Sequence, residues 1–464
     1  MQIDRYDNFT SSENSNDLFL YSNADDLLKD TKTLGQMINK FFSSQVDRLK
    51  KLEHYSNGKN VTIGLGDRRL EKDKADNRIS HNYGGFISSF VTGYIMGQPV
   101  TTSYGEDISD DVLDDIEDYN DLHSLNYELA YDASRFGRAF EYHYRDQNEK
   151  DRIVLIDPKD MFTVRSDDVE NNLIMAIHCP VINDLVQMTI YTDKHIINYE
   201  PFKLGVPALK QTEVKPHKYG MVPVVEWYNN RYRSGDFESV ISIIDAYDAA
   251  QSDTANYMSD LNDALLVVKV DNLDRLGGDN GVKKMSDANI MVIENGVNSQ
   301  GNTVSGDAHY IYKQYDVAGS EAYKTRLVKD IFKLSNIPDI TDEKFGTQSG
   351  IAIQYKLIGL KQIQVTKENY FSKALSRRYK LLENIHTAFG LEQIIADSLD
   401  FTFHPNLPQD VWEEVEKYIN AGGKLSQETL RELASFTNNS DETERILREL
   451  QESMKEYLID GETI

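Results

Sequence analysis

The sequence predicts an α+β fold that is mainly helical. Apolar residues recur at helical spacing over 25–54, 79–96 and 351–389. Short β-rich runs separated by turn residues cluster between 140 and 229. A long stretch from Gly235 to Val268 holds no proline, no internal glycine and no Lys or Arg.

Residues 1–24, rich in Asn, Ser and Asp, read as a flexible arm. Leu27, Leu34, Ile38, Phe41, Val46 and Leu49 then mark a helical stretch from Asp25 to His54, which Gly58 to Gly66 breaks. A second helix runs from about Ile79 to Met96 and stops at Gly97-Gln98-Pro99. Glu106 to Asp118 carries eight acids in thirteen residues around Val112, Leu113 and Ile116, the pattern of a helix with one solvated face. Strands are expected at Phe140–Tyr144, Ile153–Ile156, Leu173–Cys179, Gln187–Thr192, His195–Tyr199 and Val222–Trp227, antiparallel and joined by short loops.

The stretch 235–268 is expected to be one helix of roughly 50 Å at 1.5 Å per residue. Val240, Ile244, Tyr247, Gln251, Thr254, Met258, Leu261 and Leu265 form a heptad seam along it, and seven acids accompany them: Asp236, Glu238, Asp245, Asp248, Asp253, Asp260 and Asp263. Residues 269–316 form a compact insert with strand-like runs Ile290–Glu294 and His309–Tyr315. A returning helix from about Gly319 to Ile337 carries Lys324, Arg326, Lys329 and Lys333 against only Glu321 and Asp330, and opposite charge favours its docking on the acidic helix. A polar loop, 338–350, precedes a helix from Ile351 to Phe389 with a kink expected at Gly359. Phe401–His404 is a strand candidate, and helical hairpins follow from Pro408.

The 464 residues hold 50 Lys+Arg against 76 Asp+Glu, a formal net charge of −26. That balance excludes a protein that grips nucleic acid over much of its surface, since such grip requires phosphate neutralisation. It does not exclude an acidic wall past which nucleic acid slides. The single cysteine, Cys179, excludes a disulfide framework and a thiolate metal cluster and fits a reducing compartment. The longest apolar run, Ala264 to Val268, is far short of the ~20 residues of a membrane span. With no signal-peptide core beside Asp4, Arg5 and Asp7, a soluble intracellular protein without membrane partners is expected.

No phosphate-cradling GxxxxGK[ST], HExxH, CxxC or GxSxG occurs, so no catalytic residue, metal or cofactor is expected. His143 beside Glu141 reads as a satisfied histidine rather than a metal ligand. The 106–118 acids lack the central glycine of an EF-hand.

Several passages resemble the portal proteins, or head–tail connectors, of tailed double-stranded-DNA bacteriophages, of the kind found in long-tailed phages of Gram-positive hosts. They are Asn77-Arg78-Ile79-Ser80-His81-Asn82-Tyr83 leading to Gly93–Pro99, Ser134–Tyr142, Gly220–Asn230, Tyr247-Asp248 with Ser252–Asn256, Phe345–Gly350 and Lys424–Leu430. Each is weak alone; their order and spacing from about residue 40 to 450 make the match specific.

The resemblance implies a ring, twelve-fold in virions, with an axial DNA channel. It divides the chain into an N-terminal arm (1–24), an α/β wing (25–234 and 351–407), stem helices (235–268 and 317–337), a small α/β clip (269–316), a tunnel loop (338–350) and a helical crown (408–464). It implies that Asp342, Glu343, Lys344 and Phe345 approach DNA, with Thr347, Gln348 and Ser349 completing the loop. Asp253, Asp260 and Asp263 would belong to a negative channel collar or to subunit contacts. Lys324, Lys329 and Lys333 have two readings, as channel-facing rings touching phosphate or as bridges to the acidic helix. Implied partners are other copies of the chain, double-stranded DNA, the terminase large subunit, major capsid and scaffolding proteins and a head-completion adaptor, in the virion and, during assembly, the host cytoplasm. The alternative is a helical oligomeric scaffold or adaptor without a channel, separated from a portal by whether its oligomers close.

Overall fold

Helical periodicity in the first sixty residues is realised as a series of short helices rather than one. The computed structural model describes residues 18–65, 75–104, 110–205, 209–260, 265–270, 290–294, 308–311, 316–339 and 357–406. Helix α1 is Ala24–Lys29 and α2 is Thr31–Lys40. Asp30 interrupts them by capping α2, its Oδ1 accepting the Thr33 N–H at 3.1 Å. A π-helical turn, Phe41–Val46, leads into α3, Asp47–Ser56. The single turn α4, Val61–Gly64, is capped by Asn60. Helix α5 is Tyr83–Met96, capped by Asn82. It starts four residues after Ile79 because residues 77–81 are extended and bonded elsewhere, as described below.

Helix α6, Asp111–Asn120, presents the predicted acidic face, with Leu113 and Ile116 buried. The sequence reading missed α7, Leu122–Phe136, whose Leu122, Leu125, Leu129, Ala133 and Phe136 all face the core. Gly137 ends it at φ +86°, where a Cβ would meet the Arg233 carbonyl oxygen at 1.8 Å, so only glycine fits.

Two sheets form the body. In the six-stranded sheet the order is Phe19–Tyr21, Met161–Ser166, Leu173–His178, Thr189–Tyr191, His195–Tyr199 and Gln211–Pro216. Its first pair is parallel and the rest antiparallel. The three-stranded sheet runs Val224–Tyr228, Arg138–Arg145, Asp151–Ile156, antiparallel throughout. Phe162 packs on Phe19 of the neighbouring strand and on Phe41 of the π-helical turn at centroid distances of 4.9 and 4.8 Å, and Leu27 of α1 and Leu34 and Ile38 of α2 join the same core. Three strands of these sheets had not been expected: Phe19–Tyr21, which lies in the stretch read as a flexible arm, Gln211–Pro216 and Met161–Ser166. Gln211–Pro216 is an edge strand exposed at every position, so it lacks apolar alternation.

The long helix is shorter than expected. Residues 235–240 form a loop and a 3-10 turn, and α8 spans only Ile241–Asp260, roughly 30 Å at 1.5 Å per residue. Leu265–Val270 is a strand, parallel to Ile290–Glu294 and antiparallel to Ala308–Ile311. Apolar residues at 261 and 265 fit the heptad, but the β-branched Val267, Val268 and Val270 favour a sheet once two partner strands are at hand. Helix α9 is Val317–Leu334 and α10 is Ile358–Phe389. Gly359 lies in the first turn of α10, where a Cβ would meet the Asn336 Cβ at 3.2 Å, so the residue permits close approach of the two helix ends. Asp400–Thr402 pairs with Thr101–Ser103.

The chain divides into Met1–Asn406 and Leu407–Ile464. The second unit, with the hairpins expected there, lies outside the described residues, as do residues 340–356 and the tunnel-loop positions Asp342, Glu343, Lys344, Phe345, Thr347, Gln348 and Ser349.

Candidate functional site: the helix pair and its root

Asp248, Ser252 and Asn256 recur every four residues on α8 and all three are buried. Four helical residues climb about 6.0 Å, and two extended residues span about 6.6 Å. A row at this spacing therefore stays in step with alternate amides of an extended segment running antiparallel to the helix. The Asn77 N–H donates to Asn256 Oδ1 at 2.6 Å, the Ile79 N–H to Ser252 Oγ at 2.9 Å and the His81 N–H to Asp248 Oδ1 at 3.1 Å. Side chains complete the ladder. Asn60 Nδ2 donates to Asp248 Oδ2 at 2.7 Å, and His81 Nδ1 lies 2.7 Å from Asp248 Oδ1. Burial pushes the Asp248 carboxyl up, while Asn60 and His81 favour its ionised form. An extended segment without a strand partner thus has its donors satisfied by a helix face.

The adjoining face of α8 meets α5 and α9. Tyr247 packs against His81 and Tyr83 at centroid distances of 4.9 and 5.5 Å, and Phe332 of α9 packs against Phe86 at 6.0 Å. Lys324 is buried, with Nζ 3.4 Å from both Gln251 Oε1 and Thr254 Oγ1 and paired to Glu321. It therefore bridges to polar members of the predicted seam. Lys329 and Lys333 are exposed on α9, and Asp253 is exposed on α8. Asp260 ends α8, its side chain outside the described residues, and Asp263 lies wholly outside them.

Of the seven acids along 235–268, four are engaged inside the subunit. Asp236 pairs with buried Lys367 at 2.8 Å, and Glu238 takes Arg48 through two bonds of 2.6 and 2.8 Å. Asp245 accepts from Tyr55 at 2.7 Å and Thr62 at 2.9 Å, and Asp248 serves the ladder. Charge counted along a helix does not say which face meets solvent.

Glu141 and His143 occupy the core. Arg378 of α10 donates to Glu141 Oε2 at 2.5 Å, Trp227 Nε1 to the same oxygen at 3.1 Å, and His143 Nε2 lies 3.1 Å from Oε1. Burial alone would raise the Glu141 carboxyl, but Arg378 and His143 hold it down at about 2. Among the described residues no group of three or more His, Cys, Asp or Glu could hold a metal, and no helix is long and apolar enough to cross a membrane. Sequence reasoning missed Arg48, Asn60, Lys367 and Arg378, whose partners are 131 to 237 residues away along the chain. The expected seam passed through Tyr247, Gln251 and Thr254, so Asp248, Ser252 and Asn256 were left off the buried face that the structure gives them.

Comparison with known proteins gives the class: a phage portal protein, a structural head–tail connector component of the virion. Residues 38–456 match the family described as "Phage portal protein, SPP1 Gp6-like", and the chain belongs to that family. It is 24% identical over 223 residues to the portal protein of Bacillus phage SPP1, covering 44% of each chain. It is 22% identical over 301 residues to the portal protein of Clostridium phage phiCD119, covering 61% of this chain and 65% of that one. The matches thus span about half to two thirds of these relatives' lengths. Among solved structures, a chain in the neck of an empty gene transfer agent particle computed with C6 symmetry is 12% identical with a TM-score of 0.42, covering 75% of this chain and 89% of that one. A chain in the neck of a native particle computed with C12 symmetry is 11% identical with a TM-score of 0.43, covering 76% and 89%.

Proposed function

We propose that this chain assembles into a closed, dodecameric ring at the capsid vertex, whose channel admits double-stranded DNA during packaging and ejection. The family match over 38–456 carries this reading. The local geometry supports it. Helices α8 and α9 are anchored at one end by the body, and Met258, Tyr323 and Leu334 along them are about half exposed, at 51%, 52% and 55%. Apolar surface of this kind finds burial against further copies, and heterologous contacts that close on themselves make rings. Lys324 takes the bridging reading, on the support of its burial. Lys329 and Lys333, exposed on α9, take the channel-facing one.

In this reading residues 269–316 dock the terminase large subunit and later the head-completion adaptor. Major capsid and scaffolding proteins surround the wing, and the ring passes from host cytoplasm into the virion. Asp342, Glu343, Lys344 and Phe345, with Thr347, Gln348 and Ser349, approach the DNA.

Negative-stain imaging with native mass measurement of the purified chain tests the ring. Closed rings of about a dozen subunits with an axial hole are expected, and open filaments or stable dimers overturn the reading. Deleting residues 341–347 is expected to leave heads assembled and empty; normal packaging by that variant removes the loop from the mechanism.

A further inference from the structure

The turn between the strands Met161–Ser166 and Leu173–His178 carries Asp167, Asp168, Val169 and Glu170, all exposed. Val169 stands free of the body, at a relative exposure of 105%. A single exposed apolar side chain is ordinary on a protein surface, but this one is held out by a braced turn. Ser166 Oγ donates to Asp168 Oδ1 at 2.7 Å, and the Asn171 N–H to the same oxygen at 3.0 Å. The Asn172 N–H donates to Ser166 Oγ at 2.8 Å, and its Nδ2 to Glu170 Oε2 at 2.6 Å. Arg165 Nη1 donates to the Asn171 carbonyl at 2.9 Å, and Asn171 takes the left-handed backbone, φ +51°, that closes the turn. An apolar tip among three carboxylates is thus fixed before any contact and loses little freedom on docking.

A cavity of about 410 Å³ opens where the π-helical turn Phe41–Val46 passes into α3. Val61 gives it an apolar wall, and Ser44 lies in its lining. Lys50 and His54 stand exposed around it and Lys51 is half-buried. Arg48 is answered by Glu238, and Asp47 is the acid of the lining, so cations outnumber anions there. Among the described residues the Lys50 and His54 side chains donate no hydrogen bond within the subunit. An apolar tip flanked by acids and a cavity with an apolar wall flanked by cations are complementary in polarity and in charge.

The turn cannot fill the cavity of its own subunit. Lys159, two residues before the strand Met161–Ser166, pairs with Glu53 of α3. Burial, then Asp157, raise the Asp160 carboxyl, and Lys159 and Lys50 oppose them, so Lys50 also lies near the start of that strand. The acidic turn is at its other end, and six extended residues span about 20 Å. A contact between the two surfaces therefore joins different copies, and it is heterologous, the kind that a ring repeats.

We propose that Val169 of one copy seats in the cavity beside Ser44 and Val61 of the next, with Asp167 and Glu170 facing Lys50 and its neighbours. This contact rests on the reading of the chain as a ring-forming subunit, and it supplies one of the interfaces that close the ring.

Cysteine crosslinking of the full chain tests the contact. Val169→Cys combined with Ser44→Cys is expected to give, on mild oxidation, a ladder of covalently linked multimers in denaturing gels. Each single variant is expected to give none, since Cys179 is fully buried and a disulfide requires Cα atoms within about 7 Å. Charge reversal gives a second readout that leaves the bracing Asp168 in place. Asp167→Lys with Glu170→Lys is expected to raise the concentration needed for assembly, read by native mass, about tenfold. Adding Lys50→Glu to that chain is expected to recover part of the loss, which a misfolded turn would not allow. An absent ladder overturns the proposal, as does charge reversal that leaves assembly unchanged. Links formed by Val169→Cys alone place two turns together instead and overturn it too. A ladder from a chain whose wild type closes no rings keeps the contact and overturns the ring reading; closed wild-type rings without a ladder do the reverse.

Discussion

Arg378 and Glu141 bury a full positive and a full negative charge in direct contact, both side chains at 0% exposure. Removing one partner leaves the other unpaired, so Arg378→Met is expected to cost about 3–5 kcal/mol by denaturant unfolding. Glu141→Gln removes the other charge of the pair and turns one acceptor oxygen into a donor facing Arg378 and Trp227 or His143, so a comparable cost is expected. Because Glu141 is lowered to about 2, its contribution is present above the unfolded carboxylate range and lost as pH falls through about 2. His386 has the opposite sign. Burial lowers its pKa, but a bond of 3.0 Å to Asp151 and the Glu392 carbonyl raise it above the ordinary histidine value. Its stabilisation is fully present below the unfolded pKa of about 6.5 and is lost as pH rises through the folded one. Chemical unfolding from pH 6 to 9 is expected to show a loss in the wild type that His386→Gln lacks. Cys179 is fully buried with its thiol pushed well up, so a thiol reagent is expected to label it only on unfolding, which gives that experiment an independent probe.

At the level of elements, the ladder from α8 to residues 77–81 is a register device. The mismatch of about 0.6 Å per rung between helix and extended chain is tolerable over three rungs and accumulates beyond them. Asn256→Leu is expected to free the Asn77 amide and raise hydrogen exchange at 77–79 by at least an order of magnitude, with ring formation retained. Exchange unchanged at those amides shows that the segment is held by something else. Much at this scale was legible in the sequence. The acidic helix, the β-rich middle and the basic returning helix all follow from periodicity and turn residues. What was not legible depends on partners distant in the chain: the strand at Leu265–Val270 exists because Ile290–Glu294 and Ala308–Ile311 flank it. The edge strand Gln211–Pro216 buries no face to pattern, and nothing near α8 in sequence marks Asp248 as interior.

For the whole molecule, a net charge of −26 leaves room for an acidic wall in the proposed channel, but much of that charge is engaged inside the subunit. Asp236, Glu238, Asp245 and Asp248 are consumed by Lys367, Arg48, Tyr55 with Thr62, and His81 with Asn60, so fewer acids per subunit can line a channel. Lys329 and Lys333, one helical turn apart on α9, share one exposed face. If that face lines the proposed channel, each subunit adds two cations at one level, and closing the ring multiplies them into a band that phosphates meet in passing. Such contacts are exposed and screened by salt within about 8 Å at physiological ionic strength, which favours sliding over capture. Replacing both lysines with glutamate is therefore expected to leave ring assembly intact and to reduce DNA retention in filled heads, with a larger loss at low salt. Loss of ring assembly instead places these lysines between subunits, and a variant that assembles and retains DNA normally removes them from both roles.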